Sequence, residues 1–285
     1  MGVRHSRTYG AHLRRQSLKP HHDVPFTPTH VLAVTPLWPL RDRLPFAALA
    51  IGAMVPDVGL FFPIIDYAQG HSPAGLFTAC LPIGAAIFLL FDTVMRRPLA
   101  ALLPMWFQKR LDVAPRIPTT QRPATHLAYY AGLIVAVVFG AFTHQCWDAF
   151  THQGRWGTEL VPALNETVAI GGRAIPRFKV LQYGCTLAGL PLLAILALVF
   201  FARIPPNESA SDAGSFRLRL LAALAACATP LLVGAYVVST HASYYRALGV
   251  TIRLSGAILF LLCISYCVGF QLLTRVEPLQ HRAAR

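Results

Sequence analysis

The chain has 285 residues, 55% of them hydrophobic and only 13% charged, with a formal net charge of +13. Ordinary soluble domains carry about 25% charged residues, so this composition excludes them and points to a polytopic membrane protein. That net charge could suggest nucleic acid, but the basic residues sit mainly in short loops between apolar runs, the pattern of topology signals and not of a nucleic-acid-binding face.

Residues 1–24 carry Arg4, Arg7, Arg14, Arg15 and Lys19 without apolar periodicity and without the apolar core of a cleavable signal peptide. They read as a disordered basic tail. Val24 stands directly before Pro25-Phe26-Thr27, and valine codons include a common bacterial alternative start, so translation from Val24 is an expectation. Thr27-Pro28 is a helix start, threonine as N-cap and proline at the first helical position, with His30 in the first turn. The apolar stretch that follows is interrupted by Pro36 and ends near Leu40, too short for a full crossing. It reads as a half-helix or a short tilted helix ending at Arg41-Asp42-Arg43.

From Leu44 to Phe62 the chain is apolar again, broken only by Pro56-Asp57. Ser72-Pro73 repeats the Thr27-Pro28 pattern, so His71 falls just before a helix that runs to about Met95. Asp92 and Arg96, four residues apart, are expected to pair as a structural element of that helix. Residues 96–125 are proline-rich and basic and belong in the cytoplasm by the positive-inside rule. The next span runs from His126 to about Phe150, and 153–181 is a polar loop with Gly171-Gly172. The remaining spans are 183–203, 217–239 and 251–274.

The expected fold is therefore all-α: a transmembrane bundle of about six full spans plus an N-terminal half-helix, in a bacterial inner membrane. A single transmembrane domain covers 25–275, followed by a cytoplasmic tail over 276–285. The six cysteines all lie in or beside apolar runs and read as small buried hydrophobes, the Cys263/Cys267 pair included.

Chemistry concentrates in Gly140–Gly154, where His144, Asp148 and His152 recur every four residues and share one helix face. Imidazole and carboxylate are the usual ligands of zinc and similar divalent ions. The topology brings Asp57, His71, His144, Asp148 and His152 to the outer end of the spans, and His30 joins them if the half-helix descends toward Arg41–Arg43. Each has a plainer reading alone: a histidine at a helix end caps or sits at the interface, and Asp57 or Asp148 pairs with Arg173 or Lys179. Together they would satisfy one divalent ion, or two, and such an ion with an open position activates water against an ester or phosphoester. Asp57 and Asp148 are the candidate catalytic carboxylates, one of them free as a general base. Arg173, Arg177 and Lys179 could hold an anionic headgroup, the plainer reading being solvated charge.

Five stretches carry a resemblance: Pro25-Phe-Thr-Pro-Thr-His30, Gly52-Ala-Met-Val-Pro-Asp57, His71-Ser-Pro-Ala-Gly-Leu, Thr143-His-Gln-Cys-Trp-Asp148-Ala-Phe-Thr-His152 and Leu181-Gln-Tyr-Gly. Over about residues 25–270 the chain resembles a bacterial family of uncharacterised polytopic membrane proteins, the DUF4184-like domain of unknown function, whose members open with Pro-Phe-Thr-x-Ser-His. More distantly, the order His, Pro-Asp, His, then His-x-x-x-Asp resembles LexA-regulated inner-membrane hydrolases described as metal-dependent. That likeness implies His30, Asp57, His71, His144 and Asp148 as ligands. Thr29 replaces the usual serine, and Tyr183 stands where a histidine is expected, which puts metal binding by that segment in doubt. The expected function is a metal-dependent hydrolase, zinc being the first candidate ion, acting on an ester or phosphoester that could be lipid-linked. The alternative is a non-catalytic structural protein, or a small-molecule carrier, with a buried polar network. A carrier would hold its ionisable groups near mid-membrane rather than at helix ends.

Overall fold

Bilayer hydrocarbon offers no water to backbone amides, so apolar runs of this length must satisfy their hydrogen bonds within helices. The computed structural model describes residues 27–111, 123–209, 212, 214–240 and 244–283. Among these, five helices are long and apolar enough to cross a membrane: Leu76–Leu102, Thr125–Thr151, Arg177–Ala202, Phe216–Thr240 and Ala247–Thr274. The 1–24 tail, the Val24 start and most of the basic loop after Leu111 lie outside the described residues. The last three spans face outward: Leu187 is 80% and Leu231 72% exposed, surface that only lipid would cover well.

The expected span over Leu44–Phe62 is a broken one. It consists of the helix Phe46–Gly52, a single 3₁₀ turn Val55–Asp57 and a helical turn Val58–Phe61. Pro56 has no amide to give the carbonyl four residues back, which ends the first helix before it reaches a membrane's thickness. The N-terminal half-helix, Thr27–Leu40, is wound as 3₁₀ throughout, because Pro36 and Pro39 remove donors an α-helical ladder needs.

Two π-wound turns, Leu76–Cys80 and Phe91–Met95, interrupt the Leu76–Leu102 span. Each lies just ahead of a proline, Pro82 and Pro98, whose missing amide leaves a carbonyl without its usual partner. At the second, Gln271 Nε2 donates to Val94 O at 3.1 Å and the Tyr266 hydroxyl to Pro98 O at 3.0 Å, fastening the last span to this one. The expected Asp92–Arg96 ion pair forms in the same turn.

The core lies between Phe46–Gly52, Leu76–Leu102 and Thr125–Thr151, around Leu49, Val55, Cys80, Phe88, Leu133 and Val137. Two glycines set how closely these helices approach. A Cβ on Gly140 would lie 2.3 Å from Leu49 O, and one on Gly52 would lie 2.4 Å from Val137 O. The backbones touch directly, as small residues allow in membrane helices.

The connection after Thr151 was expected to be a polar loop, yet it contains an antiparallel hairpin pairing Thr167–Ile170 with Arg173–Pro176. Gly171 (φ 57°) and Gly172 (φ 76°) form its turn, and two left-handed residues in succession match the twist of a two-residue hairpin. The last helix, Tyr244–Ala283, carries on past residue 274 into the stretch expected to be a tail.

Candidate metal centre

Three elements deliver the site. His144 and Asp148 stand one turn apart on the Thr125–Thr151 helix, as their spacing predicts. Asp57 ends the turn that Pro56 forces. His71 follows the helical turn Tyr67–Gly70, in a loop tied down by Gln145, whose Nε2 donates to Gly70 O at 3.0 Å and to Ser72 O at 3.1 Å. Ser72 Oγ accepts from the Gly75 amide at 2.9 Å, the helix-start role expected of it.

One ligand atom each from Asp57, His71, His144 and Asp148 lies within 4.8 Å of all the others, and all four residues are buried. The Nε2 atoms of His71 and His144 are 3.2 Å apart. Asp148 Oδ2 is 3.2 Å from the first and 3.4 Å from the second. Asp57 Oδ1 is 3.5 and 3.6 Å from the same two nitrogens.

The other ring nitrogens decide the protonation. His144 Nδ1 lies 2.8 Å from Ala53 O, and His71 Nδ1 lies 2.9 Å from Tyr67 O. A carbonyl can only accept, so in both rings Nδ1 carries the proton and, in the neutral imidazole, Nε2 presents its lone pair to the centre. Ala53 O reaches His144 because Gly52 and Gly140 let the two helices close up. The two Nε2 atoms and two carboxylates then converge on one point.

The carboxylates are oriented as well. The Thr27 hydroxyl donates to Asp57 Oδ2 at 2.8 Å, and the Tyr67 hydroxyl to Asp148 Oδ2 at 3.5 Å. Thr27 was expected to cap a helix; its hydroxyl proton goes to Asp57. Asp57 Oδ1 and Asp148 Oδ1 are buried and accept no hydrogen bond. Burial, and after it the charges of Asp148 and Asp57, push the Tyr67 phenol well above its ordinary range, so Tyr67 remains a donor.

His30 and His152 flank the four. The His30 ring stacks on His144 with centroids 3.8 Å apart, its Nε2 is 3.6 Å from Asp148 Oδ1, and its buried Nδ1 has no hydrogen-bond partner. His152 Nδ1 is 3.6 Å from Asp148 Oδ1, but its Nε2 meets Gln182 Nε2 at 3.0 Å, which takes up that lone pair. His152 thus borders the centre. Asp57 and Asp148 pair with histidines rather than with Arg173 or Lys179. Arg173 is exposed beside the hairpin turn, Arg177 binds Glu166 Oε2 at 2.9 Å and Lys179 is half-buried. The cation that reaches the site is Arg155, whose Nη1 donates to His71 O at 3.4 Å while its guanidinium lies 5.7 Å from the Tyr67 ring centre.

Sequence reasoning missed Thr27 as a donor, Tyr67, Gln145, Gln182 and Arg155. Thr27, Gln145 and Gln182 each lie inside a quoted stretch, whereas Tyr67 and Arg155 lie outside all five. The segment supplies none of the four grouped ligands: Tyr183 is 45% exposed, and its buried neighbour Gln182 bonds to His152 at the border of the centre.

Residues 24–269 match the family model described as Domain of unknown function (DUF4184). No curated protein matches the chain. No solved structure does either. The likeness to LexA-regulated hydrolases therefore rests on the order of its residues alone.

Proposed function

The chain belongs to this family of unknown function, and from the site itself we propose that it is a metal-dependent membrane hydrolase of an ester or phosphoester. The observation that carries the reading is the pair of Nε2 atoms, 3.2 Å apart, each on a ring fixed by a carbonyl at its Nδ1 and each facing buried carboxylates. A cation is what such a set is suited to bind. A four-coordinate ion with bonds of about 2.0–2.1 Å separates its ligand atoms by roughly 3.3–3.4 Å. Five of the six separations, 3.2–3.6 Å, fit that geometry, and the two carboxylates lie within 4.8 Å of each other. Two imidazoles and two carboxylates suit zinc and neighbouring first-row ions, and the bonds from Thr27 and Tyr67 and to Ala53 O and Tyr67 O are the outer support such ligands need.

Asp57, His71, His144 and Asp148 would hold the ion, which when bound polarises an ester or phosphoryl oxygen and lowers the pKa of water. Asp148 Oδ1, without a hydrogen-bond donor and 3.6 Å from both His30 Nε2 and His152 Nδ1, is the candidate general base. Asp57 spends Oδ2 on Thr27 and is the weaker candidate. Arg155 is the first candidate for an anionic group on the substrate, with Arg173, Arg177 and Lys179 further along the same connection. The site lies at the end of the bundle opposite the basic segments around Arg96, Arg97, Lys109, Arg203 and Arg219, which supports an outer-face site in a bacterial inner membrane.

A second reading is a metal-free polar network in which His71 and His144 share a proton across 3.2 Å. Elemental analysis separates the two. The purified protein should carry one equivalent of a divalent ion, and His144→Ala or Asp148→Asn should lose it. Metal-free wild-type protein that cannot be loaded with zinc, manganese or iron would leave only the network. Hydrolysis of chromogenic phosphoesters that stops with a chelator and returns with the metal tests the catalytic half.

A further inference from the structure

Next to the centre lies a cavity of about 460 Å³ whose lining includes Leu60, Ile64, Asp66, Tyr67, Gln69 and Arg253. Tyr67 is its common wall with the metal centre: its ring stacks on His71 at 3.8 Å and its hydroxyl holds Asp148. Arg253 belongs to the Ala247–Thr274 span. An arginine within a span needs a polar surface to face, and this cavity supplies it. Its Nε donates to Gly249 O at 3.3 Å in its own helix, and among the described residues it joins no ion pair. Asp66 contributes the opposite charge. It stands at the N-cap of Tyr67–Gly70, but its side chain makes no capping bond there. Ile64 on the same wall is 60% exposed and, with Leu60, gives the mouth an apolar edge.

A wholly anionic ligand would meet Asp66, and a wholly cationic one would meet Arg253. A neutral ligand would leave both charges unanswered. A group carrying a phosphate and an ammonium a few bonds apart answers both, and an acyl chain beyond it would suit the apolar edge. We propose that this cavity docks the zwitterionic headgroup of an aminophospholipid, phosphate on Arg253 and ammonium on Asp66, against the Tyr67 wall of the metal centre. This rests on the hydrolase reading and names its substrate class. Arg253 is a binding residue here and takes no part in the chemistry.

The test measures lipid binding to the full chain in detergent, by native mass spectrometry, with phosphatidylethanolamine and phosphatidylglycerol of matched acyl chains, alongside metal content. Asp66 is exposed, where an ion pair is worth about 0.2–1 kcal/mol, so phosphatidylethanolamine should bind up to about fivefold tighter. Arg253→Gln should lose a similar factor for both lipids, and Asp66→Asn should abolish the preference while keeping phosphatidylglycerol binding. Both variants should keep wild-type metal content. Competition by soluble phosphoethanolamine would show that the free headgroup suffices. Preference without competition would assign the site to the membrane-anchored lipid. Equal binding of the two lipids, or wild-type binding by Arg253→Gln, overturns the inference. Absence of metal from the wild type would instead overturn the hydrolase reading and leave the lipid result standing.

Discussion

Adding one methyl group to Gly140 should weaken metal binding without unfolding the protein. In Gly140→Ala the new Cβ would start 2.3 Å from Leu49 O and 2.7 Å from the Ala53 amide nitrogen, where ordinary contact begins at 3.4 Å. Both neighbours are backbone, so no side chain can turn aside, and the Phe46–Gly52 and Thr125–Thr151 helices must part by about 1 Å. The hydrogen bond from His144 Nδ1 to Ala53 O, now 2.8 Å, would then lie well beyond hydrogen-bonding range. His144 loses what fixes its ring, and loss of such a support costs about 10–100-fold in metal affinity. The overpacking itself should cost about 1–3 kcal/mol of stability, which leaves an inserted and helical protein. Competitive zinc titration against a chromophoric chelator measures the affinity, and circular dichroism checks the helices. Gly269→Ala is the control, since nothing lies within 4 Å of a Cβ there. Wild-type affinity in Gly140→Ala would refute the claim that this close approach builds the site.

Thr27→Val, which keeps the shape but removes the donor to Asp57 Oδ2, should weaken metal binding about 10–100-fold, and Thr27→Ser should restore it; the same titration decides. Metal retention on dialysis should fall as the pH is lowered, because a proton on Nε2 of His71 or His144 displaces the ion; retention that rises on acidification would contradict an imidazole-held metal. Arg96→Gln removes the guanidinium paired with fully buried Asp92, and should lower stability by about 1–3 kcal/mol in a detergent melt while metal content stays unchanged.

Much of the fold was legible because hydropathy and helical spacing are local properties. The five long spans, the Asp92–Arg96 pair, the Ser72 cap and the His144/Asp148 stripe all follow from residues within a turn or two of one another. The half-helix was read as a short element of its own, and Thr27–Leu40 is one. Its 3₁₀ winding follows from prolines at 36 and 39 whose joint effect the reading did not pursue. The hairpin was also readable, since Gly171-Gly172 is a turn signal, but the short strands beside it carry no apolar alternation to announce them. Composition drew attention to Arg173, Arg177 and Lys179, while Arg155, immediately after the Gly140–Gly154 stretch, reaches the site.

By itself, then, the sequence determined a bundle of membrane helices and which histidines and aspartates gather at one end of it. It could not determine that His71 and His144 point their Nε2 atoms at each other, because Ala53 O and Tyr67 O fix those rings and a carbonyl has no letter in a sequence. Nor could it foretell that Thr27 would serve Asp57 thirty residues away, or that Arg253 and Asp66 would share a cavity. Those are consequences of how closely backbones pack. The tertiary structure settled that distance through two glycines, and with it whether a stripe of polar residues becomes a centre able to hold an ion.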